Sequence, residues 1–130
     1  MRYVICLTAS LALCATSQAA LAKAKPMKAE FQLNETSWTY VDPDKKVKAR
    51  ESIDASGNYI ENAVSGKHID HGTGVMKDGK ACFTSAMNSN GEECWTVHAV
   101  AIGHSMMTTS DKGHKLTVTR VKYTPMSMPK

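Results

Sequence analysis

The sequence of 130 residues lacks a long apolar run and lacks the common enzyme motifs. Its longest apolar stretch, residues 3–13, is shorter than the roughly 20 residues that a transmembrane helix needs. The sequence contains no G-x-S-x-G, no H-E-x-x-H, no phosphate-binding glycine loop and no nucleotide fingerprint. We therefore expect a protein that does not span a membrane, and no reaction class is indicated.

The N-terminal 22 residues have the three parts of an export signal. Arg2 supplies a positive charge, residues 3–13 form an apolar core, and Ala20-Leu21-Ala22 is an A-x-A cleavage pattern. This pattern predicts a signal helix over 1–22 and a periplasmic or secreted protein. An acylated Cys14 is the alternative, but Leu13 stands where a lipoprotein signal normally has a small residue.

Cysteine is scarce in the rest of the chain. Cys82 and Cys94 are the only two that remain after residue 22. Because an oxidising compartment favours disulfides, two thiols close in sequence predict one structural bond between them. A redox-active pair is disfavoured, since such pairs usually have C-x-x-C spacing at the start of a helix.

Helical periodicity is almost absent beyond the signal. Short β-rich runs alternate with turn residues from 37 to 123, after a polar leader at 23–36 and before a flexible, proline-containing tail at 124–130. About eight short strands at this spacing predict a single all-β domain, either a meander barrel or a sandwich. The nearest architecture is a shortened lipocalin-like barrel.

One hairpin can be placed residue by residue. Asp78-Gly79 favours a two-residue turn, which pairs Val75 with Cys82. If Cys82 also faces Cys94, side-chain alternation places apolar residues on one face of three strands. Together with two aromatic residues elsewhere in the domain, this face supplies the predicted core: Trp38, Tyr59, Met76, Phe83, Trp95 and Val97.

A series of short motifs resembles a group of small exported two-cysteine β proteins of Gram-negative bacteria. The motifs are Trp38-x-Tyr40, Gly57-x-Tyr59, Gly72-Thr73-Gly74, Asp78-Gly79-Lys80-x-Cys82-Phe83-Thr84, Gly91-Glu92-x-Cys94-Trp95 and Gly113. Gly74 departs from the pattern, which usually has Trp there. The resemblance implies the two-cysteine β domain and no activity.

The charges are dispersed, so no nucleic-acid surface is expected. We expect a monomer that binds an unknown small molecule or an envelope protein without catalysis and without a cofactor. The sequence leaves two alternatives open. The first is Cu(I) or Ag(I) handling by His104, Met106 and Met107, because thioether sulfur selects soft ions. The second is a small hydrolase-like enzyme, which an open cavity lined by histidines and carboxylates would favour.

Two further histidines flank a carboxylate. His68 and His71, with Asp70 between them, have a spacing found among metal ligands, and imidazole suits zinc and copper. A metal site normally needs three or four ligands, however, and only these are local. We interpret them as solvated loop residues.

Overall fold

The computed structural model describes residues 29–128, so the predicted signal at 1–22 lies outside the described part of the chain. Within 29–128 the chain forms eight strands and no helix that is long and apolar enough to cross a membrane. The strands are β1 (Thr36–Val41), β2 (Lys48–Ile53), β3 (Asn58–Ala63), β4 (His68–Lys77), β5 (Lys80–Ser85), β6 (Glu92–Thr96), β7 (Ser105–Thr109) and β8 (Lys115–Val121).

The strands form one antiparallel sheet in the order β6-β5-β4-β3-β2-β1-β8-β7. The two edge strands approach each other through a bridge between Trp95 and Ser110, and the Asp111 amide donates to the Cys94 carbonyl at 2.9 Å. The Thr108 hydroxyl adds a bond of 2.7 Å to the Thr96 carbonyl. The sheet is therefore a nearly closed barrel, which confirms the prediction of an all-β domain with eight strands.

The predicted hairpin register is confirmed. Val75 pairs with Cys82, which in turn pairs with Cys94. Asp78 and Gly79 have positive φ angles of 48° and 75°, as a type I′ turn requires. The disulfide joins the two cysteines, whose Cα atoms are 3.9 Å apart. Local turn chemistry and one covalent bond thus specify three adjacent strands.

The core lies in the barrel interior. Its central residues are Leu33, Trp38, Ile53, Tyr59, Ala81, Met106 and Val118, all buried. Phe31 stacks on Trp38 with ring centroids 5.7 Å apart. Phe31, Leu33 and Thr36 belong to the segment assigned from sequence to the polar leader. That segment instead supplies two core side chains and the first residue of β1.

Four of the six predicted core residues lie in or against the core. Trp38 and Tyr59 are buried in it, and Phe83 and Val97 are partly buried against it. Met76 does not follow the prediction, because its side chain is 37% exposed. The ladder between β3 and β4 ends at Thr73, so Met76 lies where β4 has a neighbouring strand on one side only. Side-chain alternation correctly predicted which face of β4 carries Met76. It did not predict how much of that face other residues bury.

The tail contacts the outer surface of β1 and β2. The Thr124 amide donates to the Ser37 hydroxyl at 3.2 Å, and the Ser52 hydroxyl donates to the Thr124 carbonyl at 2.9 Å. Ser37 and Ser52 are both buried, and their hydroxyls lie 2.6 Å apart. Covering by Thr124 explains how two serines on the outer face of a barrel come to be buried.

Candidate binding cavity

A cavity of about 690 Å³ lies in the barrel interior. At one end it extends between three loops, which contribute these residues to its lining: Asp42–Lys45, Met87, Asn88, Asn90, Gly91, Lys112 and His114. These loops connect β1 to β2, β5 to β6 and β7 to β8, and in a meander they lie at the same end of the barrel. Phe31, Leu33 and Val97 line the other end. Cavities of this volume accommodate drug-sized molecules.

One part of the cavity wall is apolar and aromatic. Inward-facing side chains from six strands supply it: Trp38, Tyr59, Ala81, Phe83, Trp95, Met106, Leu116 and Val118. Tyr59 and Phe83 form an edge-to-face pair with centroids 5.5 Å apart. Trp95 faces inward as predicted but is only half-buried, and it stands outside the core cluster. The Trp95 side chain lines the cavity and does not pack in the core, because Trp95 lies on the edge strand β6, where the barrel is incompletely closed.

Another part of the wall carries a row of three carboxyl groups. Glu51 on β2 pairs with Glu61 on β3, and Glu61 pairs with Asp70 on β4. Directly paired residues point to the same face, so all three line the cavity. The register shifts after Glu61, which leaves Ile69 unpaired beside Asp70. We refer to Glu51, Glu61 and Asp70 as the acid row.

Two carboxyl groups of the acid row, Asp70 and Glu61, differ in their hydrogen bonds. Asp70 accepts from the Tyr59 hydroxyl at 2.9 Å, the Ser85 hydroxyl at 2.6 Å and the His71 amide at 2.8 Å. Glu61 is 7% exposed, and its Oε1 has no hydrogen-bond partner among the described residues. Since a buried polar atom without a partner is destabilising, the interior holds an acceptor that a bound molecule can satisfy.

Burial changes the proton affinity of this wall. Desolvation, followed by repulsion from Asp42, raises the pKa of Glu61 to about 7. Desolvation and repulsion from Glu61 raise the pKa of Glu51 to about 8. Burial also holds the pKa of Tyr40 well above its usual range. The pKa values of Glu51 and Glu61 therefore lie near neutral pH.

The residues considered for copper are not all brought together. Met106 is buried in the core, whereas Met107, its neighbour on β7, is 69% exposed on the opposite face. His104 precedes β7 and is exposed. Met106 and Met107 thus cannot bind one ion together, and a copper role for His104 with either methionine stays a prediction. Titration of the protein with Cu(I) under reducing conditions tests it.

A second group within 29–128 has metal-like spacing but unsuitable chemistry. Cys82, Cys94 and Glu92 place one atom each within 4.8 Å of one another. Both sulfurs belong to the disulfide. Since the thiolate is the form of cysteine that binds metals, the oxidised pair is not a ligand set.

No family model, curated protein or solved structure matches the chain. The interpretation of the cavity therefore depends on its own geometry.

Sequence reasoning missed the acid row, although a signal was present. Glu51 lies two residues from Ala49 and from Ile53, and Glu61 lies two residues from Tyr59 and from Ala63. In a strand such neighbours share a face, so each glutamate interrupts an otherwise apolar face. An acid at that position is a sign of a buried carboxyl group.

Proposed function

We propose that the protein is a non-enzymatic binding protein whose barrel holds a small apolar molecule carrying a cationic group. One observation carries this proposal: a cavity of about 690 Å³ combines an aromatic wall with three adjacent carboxyl groups. Aromatic faces and apolar side chains favour a hydrocarbon body. The carboxyl groups favour a positive charge near that body.

The charge preference has a specific basis in the acid row. Ionised carboxylates are unfavourable beside one another in an apolar interior. Burial and repulsion from Glu61 raise the pKa of Glu51, and burial with repulsion from Asp42 and Asp70 raises the pKa of Glu61. An ammonium group within a few ångströms would favour the ionised forms. It could also donate to Glu61 Oε1, which lacks a partner. We infer that binding a cation near neutral pH releases protons from the row.

The proposed setting is the periplasm or the extracellular space. The Cys82–Cys94 disulfide is consistent with an oxidising environment. The predicted signal at 1–22 supports export on sequence grounds. A monomeric barrel in that setting would bind its ligand directly from the surrounding solution or from an envelope protein.

Three compounds with the same tail test the proposal. Decylammonium, decanol and decanoate share an alkyl chain and differ in the charge of the head group. Trp38 and Trp95 both line the cavity, so their fluorescence reports occupation. Titrations at pH 7.5, below the micelle concentration of each compound, should give the order decylammonium, then decanol, then decanoate.

Paired variants connect that order to the acid row. Glu51→Gln with Glu61→Gln removes both ionisable carboxyl groups while keeping side-chain size, so the advantage of decylammonium over decanol should shrink. Glu30→Gln changes an exposed carboxyl group and should leave the advantage intact. Equal affinity for the three compounds, or tighter binding of decanoate, would refute the proposed charge preference.

Acid–base catalysis is the second candidate, because two carboxyl groups with raised pKa values line an open cavity. General acids and bases work best when the pKa is near the operating pH. A small hydrolase would cleave 4-nitrophenyl butyrate, and Glu61→Gln should then abolish turnover while leaving decanol binding unchanged. Turnover no faster than in buffer, together with decylammonium binding, would favour the binding protein.

A further inference from the structure

Two histidines form a close pair on β4, away from the cavity. His68 Nε2 lies 3.1 Å from His71 Nδ1, and the ring centroids are 5.3 Å apart. His68 Nδ1 lies 2.8 Å from the side-chain oxygen of Asn62. Both rings are partly buried, so their positions are restricted while solvent can still reach them.

The register shift in β4 produces this arrangement. The shift follows Glu61, so Asp70 pairs with Glu61 while His68 pairs with Asn62. Ile69 and Asp70 consequently both face the interior, and His68 and His71 are left together on the outer face. An uninterrupted strand would place residues three apart on opposite faces. The sequence interpretation of these histidines as solvated loop residues is therefore wrong, because they lie in a strand and are partly buried.

We propose that His68 and His71 form a binding site for a borderline divalent metal ion, Zn²⁺ or Cu²⁺, on the outer face of the barrel. The ligand atoms are His68 Nε2 and His71 Nδ1. Zinc binds imidazole nitrogen at about 2.0–2.1 Å, so two nitrogens in a tetrahedral site lie roughly 3.3 Å apart. The present separation of 3.1 Å differs from that value by a few tenths of an ångström.

The hydrogen bond from His68 to Asn62 selects the required tautomer. When His68 Nδ1–H donates to the Asn62 oxygen, the lone pair of Nε2 is free to bind a metal. In the metal-free pair His71 Nδ1–H donates to His68 Nε2. Metal binding needs the proton of His71 on Nε2 instead, and exchange with solvent moves it there.

Imidazole suits zinc and copper and does not suit magnesium or calcium, which prefer oxygen ligands. The Asp70 carboxylate, which the sequence places between the histidines, faces the interior and bonds there to Tyr59 and Ser85. It is therefore not a third ligand. Water completes the coordination, which gives an open site that does not depend on the proposed cavity ligand.

Calorimetric titration of the untagged protein with Zn²⁺ tests this inference. One ion should bind, and either His68→Ala or His71→Ala should abolish that binding. Asn62→Ala should weaken it by about 10–100-fold, the usual effect of losing a partner that orients a metal-binding histidine. His98→Ala is the matched control, because His98 is exposed and lies outside the pair, and this variant should bind zinc like the wild type.

Imidazole proton resonances provide a second measurement that does not depend on the stability of the variants. In the wild-type protein one equivalent of Zn²⁺ should shift the ring signals of His68 and His71 and leave those of His98 and His104 in place. Zinc binding that persists in a folded His68→Ala or His71→Ala variant would overturn the proposal. So would the absence of zinc binding to the wild type, or ring shifts confined to other histidines.

Discussion

Replacing Glu61 with glutamine tests the central electrostatic feature of the barrel. Glu61 lies in the middle of the acid row, paired with Glu51 on one side and Asp70 on the other. It is 7% exposed, and burial raises its pKa from an ordinary value of 4.5 to about 7. Glutamine has nearly the same size and never ionises, so it removes the charge and keeps the packing.

The expected magnitude follows from proton linkage. Above pH 4.5 the unfolded chain releases a proton that the folded protein keeps until about pH 7. The unfolded state therefore binds fewer protons across this window, so the free energy of unfolding falls as pH rises. By pH 8 the ionisation of Glu61 lowers the free energy of unfolding of the wild type by about 3 kcal/mol in total. This value follows because each tenfold change in proton affinity between the folded and unfolded states is worth ~1.4 kcal/mol.

Urea denaturation at pH 4 and at pH 8 measures the effect. At pH 4 the carboxyl group is mostly protonated in both states of the wild type, so the variant differs only by the pH-independent contribution of the amide. At pH 8 the free energy of unfolding of the variant, measured relative to the wild type, should be about 3 kcal/mol higher than the same difference at pH 4. Removing the charge at position 61 also relieves repulsion on Glu51, which adds to the gain.

Glu30→Gln is the control, because Glu30 is exposed and outside the barrel interior. Its stability relative to the wild type should be the same at both pH values. The reasoning would be refuted if Glu61→Gln showed a pH-independent difference. It would also be refuted if the variant lost stability relative to the wild type as pH rose, since Glu61 would then be a stabilising carboxylate.

Three further predictions concern stability. Alkylation without reductant should find no free thiol at Cys82 or Cys94, and changing both to serine should lower the free energy of unfolding by about 3 kcal/mol by urea titration; reactive thiols would contradict the disulfide. Trp38→Ala should lower it by about 3–5 kcal/mol, whereas Met76→Ala should stay within about 0.5 kcal/mol; similar effects would contradict the assigned burial. A chain ending at Thr124 should keep the wild-type melting temperature. A chain ending at residue 122 should have a lower melting temperature, because the hydrogen bonds of the Thr124 backbone to Ser37 and Ser52 are lost. Equal melting temperatures for the two truncated chains would show that these bonds add no stability.

Local sequence patterns were sufficient for the strands and for one complete register. Asp78-Gly79 set the β4–β5 turn, and the cysteine pair extended the same register to β6. Alternation then identified which residues face inward. These features depend on backbone conformation within a few residues and on one covalent bond, so they can be read from neighbouring positions in the chain.

Patterns of this kind could not show how much each inward face is covered. Met76 and Trp95 both occupy faces that sequence alternation assigns to the interior, yet Met76 is exposed and Trp95 lines a cavity. Their exposure depends on where the β3–β4 ladder stops and on how closely β6 approaches β7. Both are long-range properties of the nearly closed sheet.

The sequence by itself determined the class of the domain, the turn chemistry and the cysteine pairing. Tertiary structure alone decided which polar groups meet. The pairing of β2, β3 and β4 brings Glu51, Glu61 and Asp70 into one row, and a single shift of register places His68 beside His71. The physical reason is that a shift of one residue in strand register moves every following side chain to the opposite face of the sheet. No local pattern in the sequence indicates such a shift.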